Sequence, residues 1–393
     1  MINLAALLVT AFWLAGALVT RRAPDPRTAR RTATVVATIA VATAIAAQWL
    51  PGRGPVLLVI SIAGLLAVAV APAATHPPSA IGRTMGLLAT STLSLAITND
   101  FVAIALWALS AWLMYSAVRR TPQGPRFLGH HAVSALSFAV GTALVTLDIP
   151  LGGLLVLVGV AVRLPLFPLH LWFPSFVSTT PMALVVAFGT TPIAVLSHLE
   201  PPGLAVTIGA LSALIAALFA ATQRNGHQAT AYLLMSHAGL VTAGHQSDGP
   251  SLWLATTLAG AGLAMTTAAT HARRGTLSYT EPLGNLAHTP KLAVSHLVFG
   301  LALIGFPLLA AFAPDHLLIE QSLTHADYMW LPLITTIAIN GITVLRSFLA
   351  LFAGTPTPTG ERDLTPLENY AITTALTLVT TVGLVPTLLG TPL

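Results

Sequence analysis

The stretch Arg163-Leu-Pro-Leu-Phe-Pro-Leu-His170-Leu-Trp172-Phe-Pro174 is apolar, yet it carries three prolines, an arginine and a histidine. An interior proline removes a backbone donor and clashes with the carbonyl four residues back, so Pro165 and Pro168 predict a break in any helix running through them. In lipid the freed carbonyls are tolerated only where protein or trapped water satisfies them. Arg163 at the same depth costs roughly 2.5–3.5 kcal/mol on insertion scales unless it faces a bundle interior or a wet cavity. A broken helix around a buried charge points to an ion or proton path.

The surrounding chain supplies the setting for such a helix. Of its 393 residues 55% are hydrophobic and 7% charged, and the mean hydropathy is +0.82. A soluble domain carries roughly 25% charged residues, so the composition reads as a polytopic membrane protein in contact with the bilayer throughout. There is no cysteine, which excludes disulfides and thiolate-ligated metals or clusters. The formal charge of +5 is carried in short loops between apolar runs, a topology signal and not a nucleic-acid surface. The first run, Ile2 to Thr20, lacks the n-region and cleavage site of a signal peptide and reads as a spanning helix.

Apolar runs long enough to span fall near 2–20, 32–50, 55–72, 83–99, 101–118, 131–147, 150–172, 181–199, 203–222, 227–245, 250–271, 292–313, 328–353 and 369–390. They predict an all-α protein of about fourteen membrane helices, a single transmembrane domain over 1–393. Every Lys and Arg except Arg53, Arg163 and Arg346 falls in loops on one side of this layout, while Asp100, Asp148, Glu200, Asp248 and Asp327 occupy the other. The positive-inside rule then places both termini on the outer face of the inner (plasma) membrane. A second interruption, Gly305-Phe-Pro307 followed by Pro314-Asp315-His316, breaks the apolar run in 292–320. Two discontinuous helices predict two inverted structural repeats, near 83–199 and 203–353, after three helices in 1–82 and before a last helix at 369–390.

The motif order resembles that of the antiporter-like subunits of respiratory complex I, Mrp-type cation/proton antiporters, membrane hydrogenases and DAB-type inorganic-carbon transporters. The Arg163 to Pro174 stretch is similar to that family's Lys-x-Pro-x-x-Pro-x-His-x-Trp-x-Pro. Ala231-Tyr232-Leu-Leu-Met-Ser236-His237-Ala-Gly239 resembles Ala-Tyr-Ser-Ser-Ile-Ser-His-x-Gly, and Gly305-Phe-Pro307 through Phe312 resembles Gly-x-Pro-x-x-x-x-Phe. The resemblance implies a proton-translocating membrane subunit of a larger complex, related to NADH-quinone oxidoreductases, working with other membrane and peripheral subunits and not catalytic alone. It implies no cofactor or metal in this chain. Two other readings fit the same family: a structural anchor without conduction, and a proton-coupled subunit of a bicarbonate or CO2 uptake complex.

This chain departs from the family pattern where charge matters. Trp107 is followed by Ala108 where the family has glutamate, Arg163 replaces the seventh-helix lysine, and Asn225 and His227 stand where the family has Asp-x-Lys; Lys291 is the lone lysine. Lysine releases a proton when desolvated, whereas arginine does not, so Arg163 is expected to act as a fixed charge. On the candidate proton path, His170, His237, Asp315 and His316 accompany Arg163, with bland readings as hydrogen-bonding core groups beside the functional ones. His130 and His131 are expected at the interface, and with His227 and Arg346 are further candidates for proton uptake or relay. Arg346 is expected either to offset Asp315 or to reach the membrane surface.

Overall fold

The computed structural model describes residues 3–49, 54–97, 99–196, 204–244, 249–280, 284, 286–324, 328–355 and 361–389. Glu200, Asp248, Asp327 and Arg53 lie outside the described residues. Among those described there are sixteen α-helices and no strand. They are α1 (Leu4–Arg21), α2 (Pro26–Ala46), α3 (Gly54–Ala69), α4 (Pro78–Ala96), α5 (Asp100–Val118), α6 (Gly124–Val145), α7 (Leu151–Arg163) and α8 (Phe173–Thr179). The second half comprises α9 (Met182–Leu196), α10 (Leu204–Thr222), α11 (Gly226–Ala243), α12 (Gly249–Arg274), α13 (Pro290–Leu303), α14 (Phe312–Thr324), α15 (Trp330–Phe352) and α16 (Pro366–Leu384).

The two surplus helices arise where the sequence predicts breaks: α7 and α8 are halves of one segment, as are α13 and α14. The second break runs deeper than the hydropathy reading, because α14 carries Asp315, His316 and Glu320 and so lies beyond the apolar run that ends near 313. Seven of the helices are long and apolar enough to cross a membrane on length and composition alone, while α3, α7 and α13 are shorter apolar helices. Of the long ones, α12 is the most deeply buried and is the central post, packed by α3, α9, α11 and α13.

Small residues set the closest helix pairs. A Cβ on Gly141 of α6 would lie 2.6 Å from the Val156 amide of α7, and one on Gly209 of α10 would lie 2.5 Å from the Ala243 amide of α11. Backbones in such contact hold α7 and α11 rigidly, by dispersion rather than by hydrophobic exclusion, and these two helices carry Arg163 and His237. The basic helix ends gather at one end of the bundle. Glu368 of α16 accepts from Arg273 at the end of α12 at 2.8 Å and faces Arg30 of α2 at 3.8 Å, while Arg274 pairs with Glu361 at 2.9 Å.

His76, in the connection between α3 and α4, ties that connection to α9. Its Nδ1 lies 3.1 Å from the Pro72 carbonyl and its Nε2 accepts from the Ala183 amide at 3.3 Å, an arrangement open only to the neutral ring. Burial pushes its pKa down from 6.5 to about 4, against the Pro72 contact, which acts in the other direction. The unfolded chain therefore binds this proton first as pH falls: the contribution is complete above about 6.5 and is lost towards 4, on the order of 3 kcal/mol in all. The thermal midpoint of the purified protein should drop between pH 7.5 and 5, and His76→Gln should flatten that drop. An unchanged pH slope in the variant would refute the assignment.

Candidate functional site

The first break begins at the last residue of α7. Arg163, 3% exposed, donates through Nη2 to Ser110 Oγ of α5 at 2.8 Å. Its guanidinium carbon lies 3.4 Å from the ring centre of Phe188 on α9 and 5.2 Å from that of Trp107 on α5. Two aromatic faces and one hydroxyl are its neighbours, and none of the three ion pairs among the described residues involves it. Carbonyls at the break are met by other groups: Ala161 O, the one freed by Pro165, accepts from the Leu166 amide. Trp172 Nε1 donates to Val162 O at 3.0 Å, and Ser212 of α10 accepts from the Phe167 amide at 3.0 Å and donates to its carbonyl at 3.4 Å. No hydrogen bond of Arg163 to a backbone carbonyl occurs among the described residues; its side-chain partner is Ser110 Oγ.

The second break repeats the hydrogen-bond pattern of the first. Leu164 and Leu166 amides bond Val160 O and Ala161 O, and Ile304 and Phe306 amides bond Gly300 O and Leu301 O. At the position matching Arg163 stands Leu303, whose carbonyl meets His237 Nε2 of α11 at 2.6 Å; Nδ1 of the same ring lies 3.2 Å from Leu233 O. A neutral imidazole has one N–H, so His237 is placed to carry a proton between two acceptors. Asp315 in the first turn of α14 is 5% exposed, and neither carboxylate oxygen has a hydrogen-bond partner. It lies against Gly305, whose φ is +68°; a Cβ there would be 2.4 Å from Asp315 Oδ2.

A half-open, mainly apolar cavity of about 130 Å³ lies between the two halves, and its walls include Arg163, Pro165, Phe188, His237, Trp253 and Thr256. Of the residues singled out from sequence, Arg163, Pro165 and His237 meet there. His170 is buried beside the first break, stacked on Phe167 with Nδ1 unpartnered. Pro168 lies in that break, Pro307 in the second, and Pro314 in the first turn of α14.

Several placements differ from expectation. His131 is not interfacial: it is 3% exposed, stacked on Phe127 at 3.9 Å and edge-on to Trp172 at 4.5 Å. It also lies 5.2 Å from the Phe188 ring that covers Arg163. The aromatic side chains of α6 and α9 and Trp172 draw it inward, while His130, one residue earlier on the helix, stays half-exposed and bonds Arg126 O at 2.9 Å. Arg346 does not offset Asp315; it bonds the Ala221 carbonyl and covers the ring of Tyr279. His316 lies on the exposed face of α14 beside Phe312 and is not brought together with Asp315.

The sequence reading passed over a polar ladder in the second half. Thr230 of α11 meets Thr267 of α12 at 3.2 Å. His296 of α13, 1% exposed, bridges Thr266 and Ser347 at 3.2 Å each, and Tyr279 donates to Ser347 at 2.8 Å. Asn340 of α15 donates to Ser236 at 2.8 Å, one residue before His237. The signal for His296 was present, since a histidine within an apolar span is costly unless used. The threonines gave none, because each can return its hydroxyl to its own helix.

An all-helical membrane bundle with two interrupted helices, a buried arginine and a buried acid defines the class: a polytopic membrane protein. The family model described as NADH:quinone oxidoreductase/Mrp antiporter, TM matches residues 126–340, more than half of the chain. The chain belongs to that family. It is 27% identical over 241 residues to NADH-quinone oxidoreductase subunit 13 of Thermus thermophilus, covering 56% of this chain and 51% of that one. It is 26% identical to subunit 14 of the same organism over 75% of this chain and 73% of that one. This chain therefore spans about half the length of the first relative and nearly three quarters of the second. In fold it is similar to a chain of respiratory complex I from Thermus thermophilus with bound NADH, with a TM-score of 0.84 at 18% identity over 97% of this chain and 96% of that one.

Proposed function

We propose that this chain translocates protons as one membrane subunit of a multi-subunit ion-motive complex, with the driving reaction on partner chains and no catalysis of its own. The observation that carries this reading is the cavity shared by Arg163 at the first break and His237 at the second. Charged and titratable groups at that depth are expensive unless they serve a path. Arg163 acts as a fixed positive charge, since it does not deprotonate. His237, His131 and Asp315 are the groups able to take up and release protons, and His296 extends the path through Thr266 and Ser347. The matching hydrogen bonds of the two breaks support a pair of repeats, each with one discontinuous helix, and the basic helix ends support a topology with both termini on the outer face. A structural anchor is the second reading, favoured by Ala108 at the position where the family has an acid. No residue favours inorganic-carbon uptake.

The deciding experiment purifies the chain with its native partners, reconstitutes the complex in vesicles and follows proton movement with a pH-sensitive dye. Asp315→Asn keeps the side-chain shape and removes the proton site. The coupled rate should fall about a hundredfold or more, in the range of general acid–base contributions, with the complex intact by native electrophoresis. An unchanged rate would leave the anchor reading in its place.

A further inference from the structure

Where α12 ends, Gly275 takes φ +78° and stops the helix, a conformation that glycine accepts without steric cost. The chain then pairs with the start of α11. The Gly226 amide donates to Leu277 O at 2.8 Å, and the Tyr279 amide to Arg224 O at 2.9 Å. This short strap carries the Tyr279 side chain inward at the basic end of the bundle. The guanidinium carbon of Arg346 lies 5.5 Å from the centre of its ring, and its hydroxyl donates to Ser347 Oγ of α15 at 2.8 Å. Arg224, which holds its amide, and Thr280, which follows it, are exposed. His227, in the first turn of α11, meets the His271 ring edge-on at 4.5 Å and takes no part in these hydrogen bonds.

From Ser347 inward the hydrogens follow by counting. Thr266 of α12 gives its one O–H to the Gly262 and Leu263 carbonyls, so it accepts from His296 Nδ1 at 3.2 Å. A neutral imidazole has one N–H, which leaves Nε2 to accept from Ser347 Oγ at 3.2 Å. Ser347 in turn accepts from Tyr279. Every bond of the chain therefore points the same way, from the basic end to a histidine that is 1% exposed. Thr266 lies a little over two turns before Arg274 at the end of α12, so the chain reaches roughly 12 Å into the bundle at the rise of an α-helix.

We propose that Tyr279 is the proton entrance to the second half of the bundle, passing protons from the basic end through Ser347 to His296. A proton from bulk water binds Tyr279 Oη as the phenol's own proton moves to Ser347 Oγ and that of Ser347 moves to His296 Nε2. One proton enters and one positive charge appears, on an imidazolium whose two N–H groups then donate to Ser347 and Thr266. Burial pushes the phenol up to about 12, against the Ser347 hydrogen bond and the Arg346 charge, so Tyr279 relays protons as a neutral group. This role rests on the reading that the chain conducts, and it names where protons enter.

Tyr279→Phe removes one oxygen and keeps the ring beside Arg346. In the complex reconstituted with its native partners, the coupled rate should fall about a hundredfold, the lower end of the range for a lost proton-transfer group, with yield and melting temperature unchanged. Ser347→Ala breaks the next bond and should do the same. The double variant should be no slower than either single one, because links in series are lost only once, whereas independent packing defects would multiply. Ser278→Ala is the control on the same strap, since its hydroxyl bonds Thr280, and it should run as wild type. A wild-type rate in Tyr279→Phe beside an impaired Asp315→Asn would overturn the entrance and leave conduction in place; wild-type rates in both would overturn conduction as well. A double variant slowed by the product of the two single effects would also overturn the relay. Should Tyr279→Phe fail to assemble, Ser347→Ala against Ser278→Ala decides by the same readout.

Discussion

Gly305→Ala should cost both assembly and coupled proton movement. Gly305 holds φ at +68°, a region where an L side chain costs about 1–2 kcal/mol. Its new Cβ would also lie 2.4 Å from Asp315 Oδ2 and 3.2 Å from Asp315 Cβ. The carboxyl cannot stay where it is, so the substitution moves the one buried acid of the second break and strains the turn that frees the Leu303 carbonyl for His237. Complex yield should fall several-fold and the coupled rate below that of Asp315→Asn. Gly153→Ala is the control, because a Cβ there meets nothing within 4 Å. The double variant Gly305→Ala with Asp315→Ala removes the closest contact, that with the carboxyl, but neither the Cβ contact nor the strain, and should recover part of the yield and none of the rate. Behaviour of Gly305→Ala indistinguishable from Gly153→Ala would end the argument.

Arg163→Ala and Arg163→Lys should part company. Alanine leaves a void under Phe188 and Trp107, a change that costs about 2–5 kcal/mol for large buried side chains, and removes the donor to Ser110 Oγ. Yield and coupled rate should fall together. Lysine keeps a point charge over the two aromatic faces, where a desolvated cation gains about 2 kcal/mol, but loses the planar stacking and the guanidinium fork. It should assemble within about twofold of wild type and retain about a hundredth of the rate, the scale expected from misplacing a group by about 1 Å. The break itself should not loosen in either variant, because Trp172 and Ser212, not Arg163, satisfy its backbone. A lysine variant as poorly assembled as the alanine one would refute the fixed-charge role.

Much of the architecture was legible in the chain because bilayer physics leaves few alternatives. Apolar runs of about twenty residues must be helices there, Pro165 and Pro168 must break one, and Gly305 with Pro307 breaks a second. The side of each basic loop follows from the same alternation, and the ion pairs of Glu368 with Arg30 and Arg273 bring such loops together at one end. Burial of Arg163, His237 and Asp315 was likewise predictable, since their cost at depth rules out the lipid face.

Which buried groups meet could be decided only by the tertiary structure. His130 and His131 are neighbours in sequence, yet one is half-exposed and the other sits beneath Phe188 near Arg163, because 100° of helix rotation separates adjacent side chains and only the packing of α8 and α9 says which face is inside. Arg346 and Asp315 form an obvious pair on charge alone, but α15 carries the arginine to Ala221 and Tyr279. His227 and His271 lie on different helices, and their contact exists only once α11 and α12 are packed. Hydropathy and helix-breaking act along the chain and can be read from it one residue at a time. Proximity between helices depends on where small residues such as Gly209 and Gly239 let backbones touch, and that is a property of the packed bundle.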